Sequence, residues 1–165
     1  MMVNSFIVSR INYCNSLLAA CSQQRLDKLQ RVLNCAARVI YGGRRGDHVT
    51  PLLRDNTHWL RIRERITFKL CLLVYKATRG LPCTILHRRH VHPGRHRVNT
   101  TIALLCARGD LLVPRMQVKF GNRAFAVTGP EAWNSLTIDI RSSDTVTAFK
   151  NSLKTYLFKL SYCIT

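Results

Sequence analysis

The side chains best suited to chemistry stand close together in this sequence. Residues 87 to 97 read HRRHVHPGRHR, which places four of the six histidines and four arginines in eleven positions. Histidine serves as a metal ligand, as a partly charged phosphate contact or as an ordinary loop residue, so composition alone does not assign the stretch. Together with Cys83, the imidazoles of His87, His90, His92 and His96 could supply four ligands to zinc. Structural zinc sites keep paired short spacings on a defined turn. Here Pro93-Gly94 splits the set and the arginines around it repel a dication, so the stretch reads as a basic connector and no metal or other cofactor is expected. Cys83 near His87 is likewise a weak signal for a nucleophile and its base, because such a pair is common by chance in 165 residues.

Other reactive constellations are missing. Two-metal phosphoryl transfer needs closely placed carboxylates, and the eight acids are scattered singly with no adjacent pair. GGRRGD at 42 to 47 has glycines without the spacing of a phosphate-cradling loop, and reads as a basic turn. No catalytic residue is therefore expected, and the chain reads as a non-enzyme.

Charge is the outlying property. Lys and Arg number 26 against 8 Asp and Glu, giving +18 and a pI near 10.6. Such a field attracts polyanions, with nucleic acid the first expectation. The apolar share of 47% is ordinary for a chain that folds. One domain is expected, burying roughly two thirds of the surface of its unfolded chain. The seven cysteines form no C-x-x-C pair and five lie in apolar stretches, so they read as small buried hydrophobes in a reducing, intracellular setting, nucleus or cytoplasm. The N-terminus lacks the pattern of a signal peptide. The longest apolar runs, LCLLVY and IALLCA, are six residues each, so no membrane span is expected.

The elements that would position these groups follow from apolar spacing. Ile7, Ile11, Cys14, Leu18 and Cys21 step by four and three, as do Leu26, Leu29, Leu33, Ala36 and Ile40, predicting two amphipathic helices joined as a hairpin by a short SQQ link. Lys28, Arg31 and Arg38 face away from the second stripe, Asp27 can pair with Arg31, and Gly42-Gly43 ends the helix. Thr50-Pro51 starts a short helix through Arg54. Trp59, a core anchor, precedes a longer helix with Ile62, Ile66, Leu70, Leu73 and Ala77 inward, stopped by Gly80 and Pro82. Met116, Val118 and Phe120 alternate with polar residues before Gly121-Asn122 and RAFAV, predicting a β-hairpin. Pro130 opens a short helix holding Trp133 and Leu136. Asp144 caps a last helix with Val146, Phe149, Leu153, Leu157 and Leu160 inward, Lys150 and Lys154 outward.

SRINYCNSLL, DKLQRVLNCAARVIYG, HVTPLLRD, HWLRIRERITFKLCLLVYKATRGLP, VPRMQVKFGNRAFAVTGPEAWNSL and FKNSLKTYLF follow one another in an order and at intervals that resemble a known family. It is the reverse transcriptase polyprotein of LINE-type (non-LTR, jockey-like) retrotransposons, in the portion after the polymerase catalytic core. The resemblance covers nearly the whole chain. The chain departs from the family at Trp59-Leu60-Arg61-Ile62, where the family tends to read W-L-P-V, and at Thr137, where it reads proline. His92, Pro93 and Arg95 occupy part of a Y-x-P-x-R connector of the family. The endonuclease and the polymerase aspartates have no counterpart here, so the resemblance implies a non-catalytic end that helps hold template RNA or target DNA.

The fold expected is α+β and mainly helical: a helical subdomain over 1–86, a basic connector over 87–110, and a β-hairpin with C-terminal helices over 111–165. The expected function is non-specific binding of RNA or single-stranded DNA through Arg44, Arg45, Arg88, Arg89, Arg95, Arg97, Lys119 and Arg123. Two competitors stand beside it. One is a degenerate remnant of a transposable element with no selected role. The other is a protein-interaction module docking on a related polymerase through its first two helices.

Overall fold

The computed structural model describes residues 3–79, 109–115 and 121–163. They divide into two compact units, one of Met1–Phe68 with Lys154–Thr165 and one of Lys69–Leu153. The elements are α1 (Ser9–Asn12), α2 (Gln23–Tyr41), α3 (Ile62–Thr78), α4 (Phe125–Asn134), α5 (Ile138–Arg141) and α6 (Val146–Tyr162), with single wide turns at Asn4–Val8 and Leu52–Asn56 and tight turns at Asn15–Leu18 and Gly121–Arg123. No strand occurs among the described residues.

In the first unit α2 packs on the wide turns Leu52–Asn56 and Asn4–Val8. Leu26, Leu33, Ala36 and Ala37 are its buried residues, joined in the core by Leu53, Leu60, Ile62, Ile66 and Leu157. Gly42, at φ +64, takes the left-handed conformation that ends α2, and its N–H and that of Gly43 both reach the Arg38 carbonyl. A side chain of α2 caps the next helix, since the Ile62 N–H donates to Gln30 Oε1 at 2.9 Å. In the same unit, Tyr162 Oη donates to the Trp59 carbonyl at 2.6 Å, and the rings of Phe158 and His58 stack with centroids 6.0 Å apart.

The helix expected over Ile7 to Cys21 is broken. Tyr13 turns to extended backbone (ψ 122), Cys14 enters the left-handed region at φ 50, and Asn15 restarts as a tight turn. The buried positions there are Asn15 and Ala19, not the periodic apolar residues. Asp27 accepts from Gln23 Nε2 at 2.8 Å rather than pairing with Arg31.

The second unit centres on an aromatic cluster. Tyr75 stacks on Phe149 with centroids 4.2 Å apart, and Trp133 lies 5.9 Å from Phe149. Such pairs add about 0.5–1.5 kcal/mol beyond the area they bury. Their polar atoms are satisfied: Tyr75 Oη donates to the Ser143 carbonyl at 2.8 Å and Trp133 Nε1 to the Gly109 carbonyl at 3.1 Å. Asn134 clasps Leu111 through both its N–H and its carbonyl at 2.9 Å each, and Arg141 pairs with Asp110. Residues 109–111 are thereby tied to α4 and α5.

The β-hairpin, and with it the α+β class, is overturned for the described residues. Its first arm, Met116 to Phe120, lies outside them, and its second arm begins a helix. Val127, Pro130, Trp133 and Leu136 are buried at a spacing of three, so RAFAV belongs to a helical stripe that three alternating apolar residues before it could not reveal. Pro130 lies inside α4 rather than opening it. Gly129 before it has no Cβ to meet the proline ring, and a Cβ there would come within 3.2 Å of Phe125 and Val74. The cap of α6 is Thr145, whose Oγ1 accepts the Ala148 N–H at 3.1 Å, not Asp144. Leu160, expected inward, is 61% exposed. Of the described cysteines Cys71 alone is buried, whereas Cys14, Cys35 and Cys163 are exposed.

Candidate nucleic-acid interface

Each unit carries thirteen Lys and Arg against four Asp and Glu. The first unit displays Arg44 and Arg45 in the turn that follows α2. The Asp47 N–H donates to the Arg44 carbonyl at 3.1 Å, the Arg44 N–H donates to Asp47 Oδ2 at 2.7 Å, and Arg38 Nη2 donates to the Asp47 carbonyl at 2.9 Å. A short polar side chain closing its own turn in this way fixes the loop. The acid of GGRRGD is thus engaged by backbone, and both arginine side chains are exposed. Arg123 is exposed at the end of the Gly121–Arg123 turn in the second unit. Arg88, Arg89, Arg95, Arg97 and Lys119 lie outside the described residues, as do Cys83, His87, His90, His92 and His96.

Sequence reasoning missed Arg25 on the outer face of α2, exposed along with the expected Lys28 and Arg31. It also missed a division of labour in RIRER at 61 to 65. Arg61 is exposed and lies 5.2 Å from the centroid of Tyr162. Arg65 turns inward: its Nε donates to the Leu60 carbonyl at 2.7 Å, its Nη1 to Asn12 Oδ1 at 3.0 Å, and it lies 5.7 Å from the Trp59 ring. Burial pushes its guanidinium below the usual value. The i,i+4 spacing of the two arginines was visible, but which one turns inward depends on Asn12, far away in sequence.

Between α2 and the start of α3 is an open cleft of about 360 Å³, lined by Gln23, Asp27, Gln30, Arg61, Arg63 and Glu64 with Leu26 and Ile62. Arg63 reaches Gln23 across it. Its lining offers guanidinium, amide and carboxylate groups suited to holding a polar group, and no thiol, hydroxyl or imidazole. Among the described residues no three His, Cys, Asp or Glu side chains are placed to hold a metal ion, and no helix is long and apolar enough to cross a membrane. Arg54 and Asp55 pair at the surface, the bond raising the one pKa and lowering the other. In solvent such a pair contributes little to stability.

No family model, curated protein or solved structure matches the chain.

Proposed function

We propose that this chain is a non-catalytic nucleic-acid-binding fragment, holding RNA or single-stranded DNA through backbone phosphates without reading sequence. The observation that carries the reading is the Arg44-Arg45 turn. Its one acid is engaged by the Arg44 N–H, so two guanidiniums project from a fixed loop in a unit with a large excess of cations. Planar, permanently charged guanidiniums suit phosphate oxygens. Arg88, Arg89, Arg95, Arg97, Lys119 and Arg123 belong to the same proposed footprint. In this reading the chain is the part of a LINE-type retrotransposon polyprotein that follows the polymerase core, as its motifs suggest.

The test is affinity for a labelled single-stranded RNA against salt concentration. Each phosphate contact contributes a slope of about −0.7 in log K against log salt for single strands. Replacing Arg44 and Arg45 together with glutamine should flatten the slope by about 1.4 and lower affinity alike for all sequences. An unchanged slope removes that pair from the footprint.

A second reading has its own observation. Val32, Cys35 and Val39 form an exposed row on α2, with Val39 71% exposed. Salt-insensitive association with a protein, without RNA binding, would favour an interaction module.

A further inference from the structure

The broken N-terminal helix leaves an aromatic ring held outward on an anchored turn. Tyr13 is 80% exposed, and Leu17 beyond it is 77% exposed. The residues on either side of the Tyr13-Cys14 pair are both fastened to Arg65. Asn12 Oδ1 accepts from its guanidinium at 3.0 Å, and Asn15 Nδ2, on a side chain only 5% exposed, donates to its carbonyl at 3.4 Å. Cys14 makes the reversal at φ 50, a conformation that an L residue other than glycine, asparagine or aspartate seldom adopts. The fold thus holds a strained turn in place around a ring that it does not cover. Arg10, three residues before Tyr13, is exposed, and no acid occurs in the sequence before Asp27.

An exposed aromatic on an anchored turn, three residues from a cation and in a basic setting, matches what unpaired nucleobases require: a flat face for stacking and a positive group for the adjoining phosphate. A duplex keeps its bases stacked inside and offers such a ring only its backbone. We propose that Tyr13 is a stacking platform for an unpaired base, with Arg10 meeting its phosphate. This rests on the nucleic-acid reading above and narrows the ligand to single strands.

The experiment measures binding of the full chain to a labelled twelve-nucleotide oligoadenylate and to a twelve-base-pair RNA duplex, over a series of salt concentrations. Tyr13→Ala should lower affinity for the single strand roughly 5- to 100-fold at every salt concentration, leaving its salt slope unchanged. Duplex affinity should stay within about twofold, and Tyr13→Phe, which keeps the ring, should retain single-strand binding. Far-UV circular dichroism checks that both variants keep their helix content. Equal loss on strand and duplex, or no loss on either while the unaltered chain binds, overturns the stacking platform and leaves the phosphate reading standing. Failure of the unaltered chain to bind any RNA overturns both.

Discussion

Arg65 and Arg44, in the same unit, put the same group to different use. Arg65 directs its guanidinium to a backbone carbonyl, an asparagine and an indole face, and holds a turn in place. Arg44 forms its turn with its backbone and leaves the side chain in solvent. A count of arginines therefore overstates the charge that a polyanion can reach. Cys71 makes the same point for thiols. Burial pushes it up to about 12, and its Sγ–H points at the Ala132 carbonyl at 3.5 Å. In the unfolded chain the thiol would ionise near its ordinary value of 9.0, so its contribution to stability is present below that pH and declines as pH climbs from 9 towards 12. Alkylation with iodoacetamide at about pH 8.5, mapped by mass spectrometry, should label Cys14, Cys35 and Cys163 in the native protein and Cys71 only after denaturation. Native labelling of Cys71 at the rate of Cys35 would mean that the aromatic core is open.

At the scale of elements, the ends of helices show how local and distant information combine. Thr145→Ala removes the acceptor for the Ala148 N–H and should destabilise the protein by about 1 kcal/mol in urea unfolding, whereas Asp144→Ala should change it by less than about half as much. Equal effects would return the cap to Asp144. The sequence placed α2, α3 and α6 correctly because each is long, with apolar residues recurring at helical spacing and, for α2, a glycine at its end. It misplaced the α4 region because Gly121-Asn122 and the alternation around it suit a hairpin turn equally well. Only the burial of Val127, Pro130 and Trp133 selects the helix. It missed the break at Tyr13 because the anchor, Arg65, is more than fifty residues away. Of the proposed footprint, the Arg44-Arg45 turn was legible from its glycines, since Gly42 and its neighbours must leave the helix. Tyr13 was not legible, because it stands off the apolar repeat of an expected continuous helix and nothing near it in sequence marks the turn that Arg65 anchors.

At the scale of the whole chain, the boundary between the two units falls within helices, after Phe68 in α3 and after Leu153 in α6. A helix interrupted in its middle loses cooperative hydrogen bonding on both sides of the break. The two units should therefore unfold together. Trp59 reports on the first and Trp133 on the second, so emission of Trp59→Phe and Trp133→Phe variants through a urea titration should give superimposable transitions after normalisation. Separate midpoints would show two independent folding units. A drift without any transition would favour a remnant unable to fold without a lost partner.

The Asn134 clasp carries a consequence for chemical ageing. One carboxamide both donates to and accepts from the backbone of Leu111, which no carboxylate can do. Slow loss of the amide nitrogen, a hazard of an asparagine followed by serine, would set a negative oxygen against the Leu111 carbonyl and turn a bond into a repulsion. The helical backbone of α4 at this position disfavours the ring closure that such hydrolysis needs. The helix that presents the clasp thus also slows its decay, and the durability of residues 109–111 depends on α4 staying wound.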